Sequence, residues 1–142
     1  MLEAVSAQER AGCDIVVSLG MGAEPPPAIT ASRLHCISAY PADLAQTNLA
    51  ALRDNYEIDG LSDHSHQTDM GALAVAAGAS IIETHVRLDD TDPANPDYAV
   101  SFTPAEFAEY VRLVRRAETI MGDGVRRVQS CEEQNLRFRV TG

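Results

Sequence analysis

The chain has 142 residues, a formal net charge of −10 at pH 7, and 11 basic residues that are all arginine. This length predicts one domain with a real core. The acidic charge argues against nucleic acid or an anionic membrane as a partner, and the lack of lysine excludes a Schiff-base lysine or a lysine phosphate clamp from this chain. The three cysteines are scattered, which predicts free thiols. The sequence shows no apolar signal core and no apolar run long enough to span a bilayer, so we expect a cytoplasmic protein.

The first predicted elements follow from short apolar runs and from helix breakers. Residues 1–11 are compatible with a helix, and the β-branched run Asp14–Leu19 predicts a buried strand. Three prolines predict a loop over Ala23–Ser32, because proline cannot occupy an ordinary helix interior. A second strand is expected over Arg33–Ala39. A helix should follow over Pro41–Tyr56, with one apolar face made of Ala45, Leu49, Leu52 and Tyr56.

The middle of the chain predicts a strand, a helix and a strand. The strands are expected over Gly60–His64 and Ser80–His85, and the alanine-rich segment Thr68–Ala79 between them predicts a helix. Such a βαβ unit makes the two strands parallel neighbours. An acidic, proline-containing loop over Arg87–Ser101 comes next. A capping box at Thr103–Glu106 then predicts a helix that ends at Gly122.

Strands that alternate with helices predict an α/β protein with about four parallel strands. This is half of a (β/α)₈ TIM barrel, which typically needs about 250 residues. A half-barrel leaves two open sheet edges. We therefore expect that the chain is a fragment of a longer protein, or that it associates with itself or with a complementing half-barrel chain.

Polar side chains at positions i and i+2 share one face of a strand, and three successive strand ends carry such pairs. The pairs are Ser38 with Tyr40, Ser62 with His64, and Glu83 with His85. Because the carboxyl ends of parallel strands meet at one edge, two imidazoles and a carboxylate should gather there. That set suits a divalent metal such as Zn, Mn, Fe or Co, with water and substrate completing the shell. Such an ion can act as a Lewis acid on a carbonyl.

Each of these residues also has an ordinary structural interpretation. A single histidine at a strand end is more often hydrogen-bonded than a metal ligand. Serines there commonly cap backbone groups, a tyrosine commonly packs, and an aspartate in an acidic loop is commonly solvated. These interpretations apply to Ser38, Ser62, Tyr40 and Asp97. The remaining histidines, His35 and His66, match no such pair, and we expect His35 to be structural.

Three motifs resemble the sialic acid synthase family, that is, N-acetylneuraminate synthase and its relatives. They are Leu34–Pro41 (LHCISAYP), Gly60–His64 (GLSDH) and Ile81–His85 (IIETH). Further similar landmarks follow the family's order: Val16–Met21, Asn95–Asp97, Ser101, Pro104–Phe107 and Ser130–Asn135. The similarity covers nearly the whole chain.

The resemblance implies a (β/α)₈ barrel that condenses phosphoenolpyruvate with N-acetylmannosamine or a related N-acetylated hexosamine, using Mn or Mg. Residues 1–128 would form the C-terminal half of the barrel domain, followed by a polar tail over residues 129–142. By this resemblance His64 and His85 would be metal ligands and Glu83 a catalytic residue beside the metal. Ser38 and Ser62 would contact phosphoenolpyruvate, and Tyr40 and Asp97 would contact the sugar.

The chain departs from the family pattern where anions are bound. The family's lysines sit on earlier strands, and Thr84 stands between Glu83 and His85 where lysine is common. The leading expectation is therefore a synthase half-barrel that is active only when completed. One alternative is a non-catalytic remnant that binds metal or another chain. A second alternative, an unrelated metal-dependent barrel hydrolase, would need further histidine or aspartate ligands.

Overall fold

The computed structural model describes residues 12–24, 30–55 and 57–139. Its sheet has four parallel strands in chain order, which are β1 (Val16–Leu19), β2 (Ser32–Cys36), β3 (Gly60–Asp63) and β4 (Ile81–Thr84). The α-helices are α1 (Ala50–Asp54), α2 (Met70–Ala77) and α3 (Pro104–Met121). Two 3-10 helices cover Leu44–Gln46 and Ser130–Phe138. The predicted class, an α/β partial barrel, is confirmed.

The sheet is curled, so that its two edge strands face each other across the concave side. Ser18 of β1 donates a hydrogen bond to Oε2 of Glu83 in β4, at 3.1 Å. Glu83 is in register with Ser62, which is in register with Cys36. Register partners on neighbouring strands point to the same face, so these side chains form one inward layer. The curl aims this layer at the mouth of the partial barrel.

The convex side of the sheet carries the main hydrophobic core. Side chains that alternate with the inward layer pack there against α2 and α3. One glycine of α2 permits this packing, because a Cβ on Gly71 would meet the Tyr110 ring at 2.5 Å. The core thus holds β3 and β4, the strands that precede the two paired histidines. Its buried members are Leu52, Leu61, Met70, Ala74, Phe102 and Tyr110.

The helix predicted over Pro41–Tyr56 is wrong as a single element. The described chain forms the short 3-10 helix Leu44–Gln46 and then α1. Asn48 between them has φ +48°, in the left-handed region, which an α-helix cannot include. The apolar face predicted for this helix is correct in part. Leu52 is buried and Leu49 packs against the core, whereas Ala45 is exposed. Tyr56 lies outside the described residues.

The other element boundaries differ from prediction by a few residues. The strand β1 is not buried as predicted, because it is an edge strand of the described sheet and Val16 is 51% exposed. The long α3 begins and ends as predicted, with the Thr103–Glu106 capping box and Gly122 as its C-cap. The helix predicted over residues 1–11 and half of the proline-rich loop, residues 25–29, lie outside the described residues. The boundary proposed at residue 129 stays a prediction.

Among the helices that the structure describes, none combines the length and apolarity needed to cross a bilayer.

Candidate functional site

Three rings from consecutive strand ends converge at the mouth of the partial barrel. Tyr40 follows β2, His64 follows β3 directly, and His85 follows β4 directly. The His64 and His85 ring centroids are 5.1 Å apart, and Tyr40 stacks on His64 at 4.3 Å and meets His85 edge-on at 5.8 Å. The predicted convergence of the two imidazoles on one face is therefore observed.

The His64 imidazole is held by the loop that follows β2. Its Nδ1 donates to the Ile37 carbonyl oxygen at 2.9 Å, and the His64 backbone carbonyl accepts from the Ala42 N–H at 2.9 Å. A donor role for Nδ1 leaves the lone pair of the neutral ring on Nε2. His64 is 5% exposed, so the ring is both oriented and largely desolvated. This tautomer leaves Nε2 able to bind a metal ion.

The inward layer beneath the rings supplies a carboxylate, a thiol and two hydroxyls. Glu83 accepts from Ser18, as described above, and Ser62 is buried at 3% exposure between the Cys36 and Glu83 register positions. The Cys36 sulfur lies 3.8 Å from His64 Nδ1.

The environment of the mouth favours the protonated form of the Tyr40 hydroxyl. Burial by the surrounding chain raises the pKa of this hydroxyl, and the charges of Cys36, Asp97 and Glu83 act in the same direction. At neutral pH the tyrosine can therefore act as a hydrogen-bond donor as well as an acceptor.

Ser38 lies at the outer side of this cluster, beside the end of β1. A Cβ on Gly20 would come 1.9 Å from the Ser38 hydroxyl oxygen, so the two residues are in direct contact and a larger residue at position 20 would displace that hydroxyl. Ser38 itself is exposed. The Gly20–Met21–Gly22 turn therefore leaves Ser38 an accessible hydroxyl at the mouth.

Asp97 reaches the cluster from the acidic loop that follows β4. Its Oδ2 lies 3.7 Å from His85 Nδ1. The backbone around Asp97 is fixed by the next turn, in which the Asp97 carbonyl accepts from the Ser101 N–H and hydroxyl at 3.0 and 2.7 Å. The structure thus brings Asp97 to the predicted site, where the sequence alone also allowed a solvated position.

Asp63, on the opposite face of β3 from Ser62 and His64, anchors the strand end to α3. Its carboxylate accepts from the Tyr110 hydroxyl at 2.9 Å and from the Ser65 N–H at 2.8 Å. Both Asp63 and Tyr110 are almost fully buried. Burial raises the pKa of the Tyr110 hydroxyl, and the charge and hydrogen bond of Asp63 raise it further. This bond fixes the backbone next to His64.

The two imidazoles fit a shared divalent ion. Two rings that bind one ion at about 2.1 Å, with a bond angle of about 90° to 109°, have centres roughly 4.6 to 5.3 Å apart. The observed 5.1 Å lies within that range. Within residues 12–24, 30–55 and 57–139, no group of three or more His, Cys, Asp or Glu side chains is arranged to hold an ion. The histidine pair alone would supply two ligands at most, so a metal ion here would need water or substrate as further ligands.

Comparison with known proteins places this chain in a family. The family model described as NeuB matches residues 27–126. The chain belongs to the NeuB family. It is 36% identical over 109 residues to the N,N'-diacetyllegionaminic acid synthase of Campylobacter jejuni, covering 74% of this chain and 32% of that protein. It is 34% identical over 104 residues to the human N-acetylneuraminate-9-phosphate synthase, covering 70% and 29% respectively. The resemblance to sialic acid synthases is confirmed.

A solved structure shows the same fold relationship. The N-acetylneuraminic acid synthetase of Leptospira borgpetersenii superposes with a TM-score of 0.78 at 28% identity, covering 97% of this chain and 53% of that one. The chain therefore spans about a third of the length of the curated relatives above and about half of this structure.

Several residues of the site were missed from the sequence. Ser18 stands near the end of β1, but Gly20 two positions later has no side chain, so Ser18 forms no polar i, i+2 pair. Cys36 stands two positions before Ser38, so the i, i+2 pattern used for the strand ends would have included it. Tyr110 was not singled out, because its partner Asp63 is 47 residues away.

Proposed function

We propose that this chain forms the metal-bearing half of a site that condenses phosphoenolpyruvate with N-acetylmannosamine, or a related N-acetylated hexosamine, to a nonulosonic acid. The observation that carries the proposal is the convergence of Tyr40, His64 and His85 over Glu83, in a chain of the NeuB family. The relatives named above are synthases of such acids, which supports the reaction class.

In this proposal His64 and His85 hold Mn or Mg, and Mn suits the two nitrogen donors better. When bound, the ion would polarise the aldehyde carbonyl of the open-chain sugar as a Lewis acid. Tyr40 and Asp97 orient the sugar, since both side chains border the His85 ring. The tyrosine ring excludes water from one side of the imidazoles, and the Asp97 carboxylate can accept hydrogen bonds from sugar hydroxyls.

Phosphoenolpyruvate would lie toward Ser38 and Ser62, whose hydroxyls can donate to its oxygens. Its C3 attacks the aldehyde carbon, and the aldehyde oxygen takes up a proton to become a hydroxyl. Water adds to C2, and the bond from C2 to the phosphate oxygen then breaks, which releases phosphate and leaves a ketone at C2. We assign Glu83 as the general base that takes a proton from the attacking water. Its carboxylate lies at the same mouth and accepts a hydrogen bond from Ser18. Such general-base assistance typically contributes roughly 10²- to 10⁴-fold to the rate.

The same proposal holds that turnover needs a second half-barrel. Phosphoenolpyruvate carries a phosphate and a carboxylate, whereas this chain contains no lysine and has a net charge of −10. The strands β1 and β4 each have one neighbour in the described sheet and so present a free edge. A complementing chain, or a second copy, would pair these edges, and the complementing chain would also bring cationic anion-binding groups.

The test measures phosphate release from phosphoenolpyruvate and N-acetylmannosamine with Mn²⁺. The chain is assayed alone and together with the N-terminal half of the Campylobacter legionaminic acid synthase. We expect release only in the mixture and its loss with Glu83→Gln. Robust turnover by the chain alone would refute the need for completion. No release in the mixture, together with no Mn²⁺ binding, would instead establish the non-catalytic remnant.

A further inference from the structure

His66 links the two loops of the proposed site. It lies in the turn after β3, two residues beyond His64, and its Nδ1 donates to the Ala99 carbonyl oxygen at 2.8 Å, across 33 residues of sequence. The same ring meets Phe102 edge-on, with centroids 4.8 Å apart. Its Nε2 lies 3.7 Å from Oε1 of Glu106 at the start of α3. The histidine therefore touches the end of the acidic loop and the helix that follows it.

His66 holds the end of the acidic loop, and this end is also the turn that fixes Asp97. Val100 and Ser101 both donate backbone hydrogen bonds to the Asp97 carbonyl. Phe102, which closes the turn, donates its N–H to the His85 carbonyl at 2.9 Å and is fully buried. By contrast, residues 88–96 are almost all exposed. The position of Asp97 beside His85 thus depends on the turn formed by residues 97–101.

The backbone of His66 is consistent with a specific role for this residue. Its φ is +55°, in the left-handed region that residues other than glycine seldom adopt and in which asparagine and histidine are enriched. A non-glycine residue with such a backbone is kept only where the surroundings determine it. Here the surroundings are the Ala99 carbonyl and the Phe102 ring.

We propose that His66 is a positioning residue that holds the Asp97 turn over the mouth and so sets the affinity for the N-acetylated hexosamine. The inference rests on the proposed function, because it takes Asp97 as the sugar contact. His66 itself need not touch the sugar. Phosphoenolpyruvate and the metal are assigned to residues outside this turn, so their binding should depend on His66 less than sugar binding does.

A matched pair of variants separates the hydrogen bond from the backbone. Asparagine and glycine both accept a positive φ, so neither His66→Asn nor His66→Gly adds left-handed strain. Only asparagine keeps a donor nitrogen on Cγ, where the histidine Nδ1 stands. His66→Gly should therefore lose the bond to Ala99, and His66→Asn should keep it.

The first measurement is amide hydrogen exchange of residues 97–101 in the full chain. One lost hydrogen bond should speed exchange there about three- to tenfold in His66→Gly and leave His66→Asn close to wild type. The second measurement is affinity. The dissociation constant for N-acetylmannosamine should rise about three- to tenfold in His66→Gly alone, while those for Mn²⁺ and phosphoenolpyruvate change less than about twofold.

Equal exchange in the two variants would overturn the inference, and so would faster exchange with unchanged affinity for the sugar. Equal weakening of the binding of the sugar, Mn²⁺ and phosphoenolpyruvate would also overturn the inference, because that pattern indicates general loosening of the fold. If the wild-type chain binds no N-acetylmannosamine while exchange still separates the variants, the positioning of the turn stands and the sugar assignment under the proposed function fails.

Discussion

Replacing Tyr110 with phenylalanine tests how the strand end that carries His64 is held. The change removes one hydroxyl and keeps the ring that packs over Gly71. In the folded chain that hydroxyl donates to Oδ2 of Asp63 at 2.9 Å, and the two residues are only 2% and 3% exposed. The phenylalanine would leave this carboxylate oxygen buried without its donor.

The expected cost follows from the type of bond. A hydrogen bond to a charged group contributes about 1.5 to 3 kcal/mol, and a buried carboxylate that loses one cannot recover it from water. In the variant Asp63 keeps its second hydrogen bond, from the Ser65 N–H. This remaining bond limits the cost, so we expect a value in the middle of that range. We expect about 2 kcal/mol less stability. With a urea m-value of about 2 kcal/mol/M, the unfolding midpoint should fall by roughly 1 M.

The assay is urea unfolding followed by circular dichroism, with Tyr98→Phe as the matched control. Tyr98 is half-buried beneath the Arg87 guanidinium, and its hydroxyl has no hydrogen-bond partner within the described part of the chain. The control should change stability by less than about 0.5 kcal/mol. If Tyr110→Phe costs no more than Tyr98→Phe, then the Asp63 contact does not anchor the strand end.

Two further predictions concern the same contact. Gly71→Ala places a Cβ 2.5 Å from the Tyr110 ring. This variant should therefore destabilise the fold by about 1 to 3 kcal/mol in thermal unfolding, although alanine normally stabilises a helix. A stabilised variant would contradict the observed packing. Burial raises the pKa of Tyr110 in the fold above its unfolded value, so the hydroxyl contributes stability that is full below about pH 10 and is lost as the pH rises further. Urea unfolding measures this between about pH 9 and about pH 11. Over that range the free energy of unfolding should fall faster in wild type than in Tyr110→Phe, by up to about 1.4 kcal/mol per pH unit. Equal losses in the two proteins would refute the assignment.

The fold class and the meeting of the site residues were predictable because they depend on local periodicity. The i, i+2 rule placed Ser62 with His64 and Glu83 with His85, and the βαβ connection made their strands neighbours. Those two rules suffice to bring the imidazoles to one edge. The long helix α3 was equally predictable, since a capping box and a terminal glycine agree there.

The remaining features depend on contacts that local patterns do not contain. Ser18 and Glu83 are 65 residues apart, and they meet only because the sheet curls. The break in the helix predicted after Pro41 comes from one left-handed residue, Asn48, which short-range propensity does not specify. The contact of His66 with Ala99 likewise needs the fold of the loop after β4.

Binding of Mn²⁺ by His64 and His85 is the central claim, and isothermal titration of the full chain measures it directly. His64→Asn and His85→Asn keep a nitrogen at the Nδ1 position but lack Nε2, so the local hydrogen bonding is disturbed little. His35→Gln is the control, because His35 Nε2 donates to the Thr47 carbonyl away from the site. We predict that Mn²⁺ binds at least about tenfold more weakly to both asparagine variants and with unchanged affinity to the control. Equal binding by wild type and all three variants, or no binding by wild type, would contradict the proposed metal site.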